Sequence, residues 1–68
     1  MTHQEYVKAC QRTEHKDLPA HLLNHKTGET GILQQCVWLE VPEAMLVRVG
    51  NEITTWWPDD VVDISEEL

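Results

Sequence analysis

The residues of this 68-residue chain that could do chemistry are four histidines, two cysteines, three tryptophans and the pair Asp59-Asp60. The metal-ligating types run in the order His3, Cys10, His15, His21, His25, Cys36, with no CxxC and no HExxH among them. His21 and His25 share one face of an extended segment, but at ~3.3 Å per residue they stand roughly 13 Å apart, too far to hold one ion. Cys36 falls in an apolar run, where a thiol is an inert small hydrophobe more often than a nucleophile. Asp59-Asp60 could act as general acid and base, yet capping of a short turn explains the pair equally well. Thr27-Gly28-Glu29-Thr30-Gly31 lacks the lysine of a phosphate-binding loop. So short a chain also encloses little concave volume for a substrate. No enzyme activity, metal or cofactor is expected, and the chemistry to look for is recognition.

The tryptophans carry that reading, since the chain has no Phe and a single Tyr. Trp56 and Trp57 are neighbours in an extended run and must face opposite sides of a sheet. Trp57 shares parity with Ile53 and Thr55 and is expected in the core. Trp56 is then expected at the surface as a partner anchor, a role for which tryptophan is enriched. The competing arrangement covers Trp56 with an N-terminal helix and sets Tyr6 against it. Trp38 is either core or the second wall of an aromatic groove for an extended peptide or a methylated cation, with Asp59 or Asp60 as counter-charge. The candidate partner-binding residues are therefore Trp56, Trp38, Asp59 and Asp60.

Several elements must position these side chains. Thr2-His3-Gln4-Glu5 has the spacing of a capping box and predicts a short helix from His3 to about Thr13, with Tyr6, Ala9 and Cys10 on its apolar stripe. A polar linker runs to Asp17. Leu18 to His25 alternates like a first strand, with Pro19 marking its start or an edge. Gly28 and Gly31 offer positive φ in the following turn. Ile32 to Val41 is a long strand with apolar residues on both parities, which predicts a bulge or cover on both sides. Pro42-Glu43-Ala44 makes the next turn. Met45-Val47-Val49 and Ile53 to Trp57 flank Gly50-Asn51 as a hairpin. Pro58 ends that strand, Asp59-Asp60 open a 3₁₀ turn, and Val61 to Ile64 form a short last strand.

The segments HLLNHKTGETGIL and MLVRVGNEITTWWPDDVVDI resemble the pattern of SH3-like small barrels over about residues 18–64. The resemblance implies a mainly β fold: a small antiparallel barrel of four to five strands with a short N-terminal helix. The organisation is then residues 1–17 helix and linker, 18–64 barrel, and 65–68 a frayed acidic tail. The superfold hosts peptide-binding, Tudor-like and KOW-like domains as well as accessory subunits. HLLNH lacks the aromatics of the ALYDY-type segment found in proline-rich-peptide SH3 domains, which argues against that ligand.

Charge narrows the partner. The net charge is −7. Residues 1–26 carry +1, and residues 27–68 carry −8 because Arg48 alone offsets nine carboxylates. Such a C-terminal half repels phosphate, so nucleic acid and anionic membrane are disfavoured and a protein with a basic patch is attracted. The expected role is a non-catalytic acidic interaction module or accessory subunit, monomeric or a weak homodimer. The alternative is a nucleic-acid or nucleoprotein-associated Tudor- or KOW-like domain that uses Lys8, Arg12, Lys16 and Lys26. Two cysteines do not make a disulfide framework, no apolar run resembles a signal peptide, and a reduced, cytoplasmic location is expected.

Overall fold

The computed structural model describes residues 1–37 and 43–65. Helix α1 spans His3–Glu14 and opens on the anticipated capping box. The Thr2 hydroxyl accepts from the Glu5 N–H at 3.1 Å, and the Glu5 carboxylate accepts from the Thr2 N–H at 3.4 Å. Tyr6, Ala9 and Cys10 form its buried face. Asp17 takes a left-handed φ of 52°, turning the chain so that the Leu18 N–H donates to the Arg12 carbonyl at 3.0 Å.

Strand β1 is His21–Asn24, beginning later than Leu18 because Pro19 has no N–H for a ladder. The buried Asn24 then shapes the loop: its side-chain oxygen accepts from the Lys26 and Thr27 N–H groups at 3.0 and 3.2 Å. Gly28 supplies positive φ there, at 81°. Gly31 does not; it lies inside β2, Thr30–Val37. Its glycine has a different cause, since a Cβ would stand 2.5 Å from Val47 Cγ1 and 2.8 Å from the Arg48 carbonyl oxygen. The expected bulge in β2 falls between Leu33 and Gln35.

β3, Ala44–Val49, and β4, Glu52–Trp56, form a hairpin around Gly50-Asn51. Gly50 has φ 63° while Asn51 stays negative, as a type II′ turn requires. The 3₁₀ turn η1, Pro58–Asp60, leads into β5, Val61–Asp63. Neither aspartate side chain caps η1; backbone bonds from the Asp60 N–H to the Trp57 carbonyl and from the Val61 N–H to the Pro58 carbonyl hold it.

The chain is mainly β, with five antiparallel strands in the order β4-β3-β2-β1-β5 and one N-terminal helix. Its core joins Tyr6, Ala9 and Cys10 of the helix to Leu22, Leu33, Cys36, Met45, Val47, Trp56 and Val61 of the sheet. The cysteines, expected as free thiols, are bonded: Cys10 and Cys36 form a disulfide with Cα atoms 6.0 Å apart across 26 residues of sequence. The bulge explains this pairing, because it turns Cys36 inward toward the helix face that carries Cys10. Two polar contacts reinforce the same junction: Tyr6 Oη donates to the Ala44 carbonyl at 3.0 Å, and the Cys36 N–H donates to Glu14 Oε1 at 3.3 Å. Ser65, placed by the sequence in the tail, is buried and its hydroxyl accepts from the His21 N–H at 2.9 Å.

Candidate interaction face

Opposite residues of an antiparallel pair point to the same side of the sheet. Met45 and Val47 are in the core, so their partners Trp56 and Thr54 share the inward parity. Arg48 and Leu46 point outward with Ile53 and Thr55. The expected placement of the two tryptophans is therefore reversed. Trp56 is core, 5% exposed, and Trp57 is the exposed one at 44%. Ile53, expected to lie inside with Trp57, is 55% exposed. Register decides this, not apolar character along β4 alone. The signal was present in the sequence, since a two-residue hairpin loop at Gly50-Asn51 puts Met45 opposite Trp56.

The outward face is built in rows. One row runs Ile53, Arg48, Ile32, His21 across four strands, and the Ile64 N–H extends it by donating to the His21 carbonyl at 2.9 Å. A shallow hollow of about 490 Å³ lies over it, lined by His21, Ile32, Arg48 and Ile64 among others. Arg48, the one cation of residues 27–68, thus projects between two isoleucines. Among the described residues β4 pairs with β3 alone, so its far side is an open strand edge bearing Ile53 and leading to Trp57.

Asp59 is exposed and Asp60 half-buried, and both sit just beyond Trp57. Their backbone is anchored: the Asp60 carbonyl accepts from the His25 N–H at 2.9 Å, and the Asp59 carbonyl lies 3.2 Å from His25 Nε2. The α-amino group of Met1 donates to the carbonyls of Pro58 and Val61. η1 is consequently a fixed platform that carries the acidic pair directly after the exposed tryptophan. Of the four candidate residues, Asp59 and Asp60 follow the exposed Trp57 in η1, beside His25 at the end of β1, and Trp56 is taken into the core. Trp38 lies outside the described residues.

Cys36 is in a disulfide and offers no thiolate, and among the described residues no group of three or more His, Cys, Asp or Glu converges on a metal position. Burial raises the Tyr6 phenol above its ordinary pKa of 10.0, and the charges of Glu43 and Glu14 push the same way. That perturbation belongs to the helix–sheet junction, remote from the outward face. No helix among the described residues is long and apolar enough to cross a membrane. Comparison with protein-family models, with curated proteins and with solved structures returned no match.

Proposed function

We propose that this protein is a non-catalytic protein-interaction module that binds its partner with the outward face of the β3–β4 hairpin. Trp57 is the anchor, Ile53 and Arg48 its neighbours, and Asp59 and Asp60 the charged rim. The observation that carries this reading is the exposure of Ile53 on an edge strand, opposite Arg48, and of Trp57 just past the end of that strand. Tryptophan and arginine dominate interface hot spots, and an open edge can accept an added strand through main-chain hydrogen bonds. The partner best suited presents an extended segment to β4, apolar surface to Trp57 and basic groups to the aspartates. The strand order β4-β3-β2-β1-β5, with a 3₁₀ turn before the last strand, supports reading the domain as an SH3-like small barrel. That superfold commonly serves as an adaptor, though fold alone assigns no ligand. The expected cytoplasmic location rested on reduced cysteines together with the lack of a signal-peptide-like or membrane-spanning run; Cys10 and Cys36 are bonded, which removes the first of these grounds, and the compartment is not part of this reading.

The test is affinity capture from native lysate with wild-type protein, Trp57→Ala and Arg48→Ala, after circular dichroism has shown all three to be folded. A protein retained by wild type and lost from both variants is the expected result. Equal capture by all three would refute the outward face as the binding surface. A second copy of the chain as the only species retained would move the reading to self-association, which sedimentation would then measure.

A further inference from the structure

Arg48 stands on the outward face without a partner. It is exposed, it is the one cation of residues 27–68, and among the described residues no hydrogen bond or ion pair engages its guanidinium. Ile53 and Ile32 flank it across the strands, and no described carboxylate lines the hollow beside it. Glu52 adjoins Ile53 in the chain but has the opposite parity and faces the other side of the sheet. A cation left unpaired between two apolar neighbours is a place for an anion, and the hairpin register fixes where that anion comes from.

In a two-residue hairpin the pair closing the loop is hydrogen-bonded, here Val49 with Glu52, and the pairs alternate from there. Arg48–Ile53 and Leu46–Thr55 are therefore non-hydrogen-bonded pairs, and Ile53 and Thr55 turn their N–H and C=O groups to the open side of β4. A strand added there bonds to Ile53 and Thr55. Antiparallel pairing is favoured, because it is the more stable and every described pair of this sheet is antiparallel. The added residue facing Ile53 stands in the row of Arg48, about 10 Å away across Ile53, within the combined reach of a glutamate and an arginine. Trp57 continues the extended backbone of β4, with φ −112° and ψ 145°. It lies four residues beyond Ile53 on the same parity, roughly 13 Å along the strand. We infer that the partner's segment is acidic at one position: a glutamate facing Ile53 pairs with Arg48, and a large apolar residue four positions before it meets Trp57. This rests on the outward-face reading and adds the charge, spacing and direction of the segment.

The experiment titrates the ¹⁵N-labelled full-length protein with the peptide acetyl-Leu-Ser-Thr-Ser-Glu-amide and reads the Arg48 Nε–H and the amides of Ile53 and Thr55 by NMR. The glutamate peptide should bind about tenfold more tightly than the same peptide ending in Gln-amide. Arg48→Gln should abolish that preference and leave the affinity of the glutamine peptide unchanged, whereas Trp57→Ala should weaken both peptides alike. Equal affinity of the two peptides for wild type, with both weakened by Trp57→Ala, would overturn this inference and leave the outward-face reading standing. Acetyl-Leu-Glu-Ser-Thr-Ser-amide has the same composition, and binding as tight as that of the first peptide would overturn the spacing. A glutamine peptide with a free C-terminal carboxylate that matches the glutamate peptide would give the site to a chain terminus instead. The absence of any shift at Ile53 and Thr55 at millimolar peptide would overturn strand addition at this edge, while capture from lysate would still decide the outward face.

Discussion

Trp56 and Trp57 are adjacent in sequence and live in different environments. Trp56 stands opposite Met45 on the face covered by α1, in the cluster that includes Tyr6 and the Cys10–Cys36 bond. Trp57 stands on the other face, past the end of an edge strand, with Ile53 two rows away and solvent around both. The inward face is closed by covalent and polar ties: a disulfide, the Tyr6 hydroxyl on the Ala44 carbonyl, and Glu14 on the Cys36 N–H. The outward face has none of comparable depth among its described residues, only ladder bonds beneath exposed side chains. One face stabilises the domain and the other is the face we propose for a partner. In a chain this short, with a net stability expected at about 3–5 kcal/mol, each large residue can serve one of these ends.

The sharpest way to break this contrast is to truncate the two tryptophans separately. Trp56→Ala should cost about 3–5 kcal/mol, comparable to the whole stability, and the variant should be unfolded by circular dichroism without denaturant. Opening the Cys10–Cys36 bond comes next. The loop of 26 residues it closes predicts a loss of about 3–4 kcal/mol on the chain-entropy account, read as a lowered melting temperature in the presence of a reducing dithiol. An unchanged melting temperature after confirmed reduction would mean that packing alone holds α1 to the sheet.

Tyr6→Phe should cost about 1–2 kcal/mol, because it leaves the Ala44 carbonyl buried without its donor. It should also remove a pH dependence. The Tyr6 pKa in the folded state is raised, so below the ordinary value of 10.0 the phenol is neutral in both states and stability is constant on its account. Above that value the unfolded chain ionises first and stability falls as pH rises. A urea midpoint that declines equally in wild type and Tyr6→Phe above pH 10 would assign the decline to other groups. The smallest effect belongs to Trp57→Ala, expected within about 0.5 kcal/mol of wild type by urea unfolding. A cost near that of Trp56→Ala would erase the distinction between the faces.

Much of this architecture was legible from local chemistry. The capping box at Thr2 and Glu5 marked the helix, Gly50-Asn51 the hairpin, Pro58 the end of β4, and the mixed parity of β2 its bulge. Each of these depends on neighbours a few residues away. Gly31 was harder, since its lack of a side chain answers to β3, seventeen positions on at Arg48, and not to its own φ. The apolar residues of β4 by themselves misplace Trp56 and Trp57 for a related reason: the inward side of an edge strand is set by its partner's register. Counting across the two-residue loop would have placed Val47 against Thr54 and Met45 against Trp56.

What the sequence by itself determined is the kind of molecule: a small, acidic, mainly β chain with one capped helix, and with turns written in glycine, proline and asparagine. These features follow from local backbone preferences and strand period, which act over a few residues. Tertiary structure alone decided that Cys10 meets Cys36, that Trp57 and not Trp56 faces solvent, and that Lys8, Arg12 and Lys16 share a groove with Leu18. Those outcomes depend on how the bulge in β2 and the turn at Asp17 orient distant segments, and one residue of shift at either would send the same side chains elsewhere.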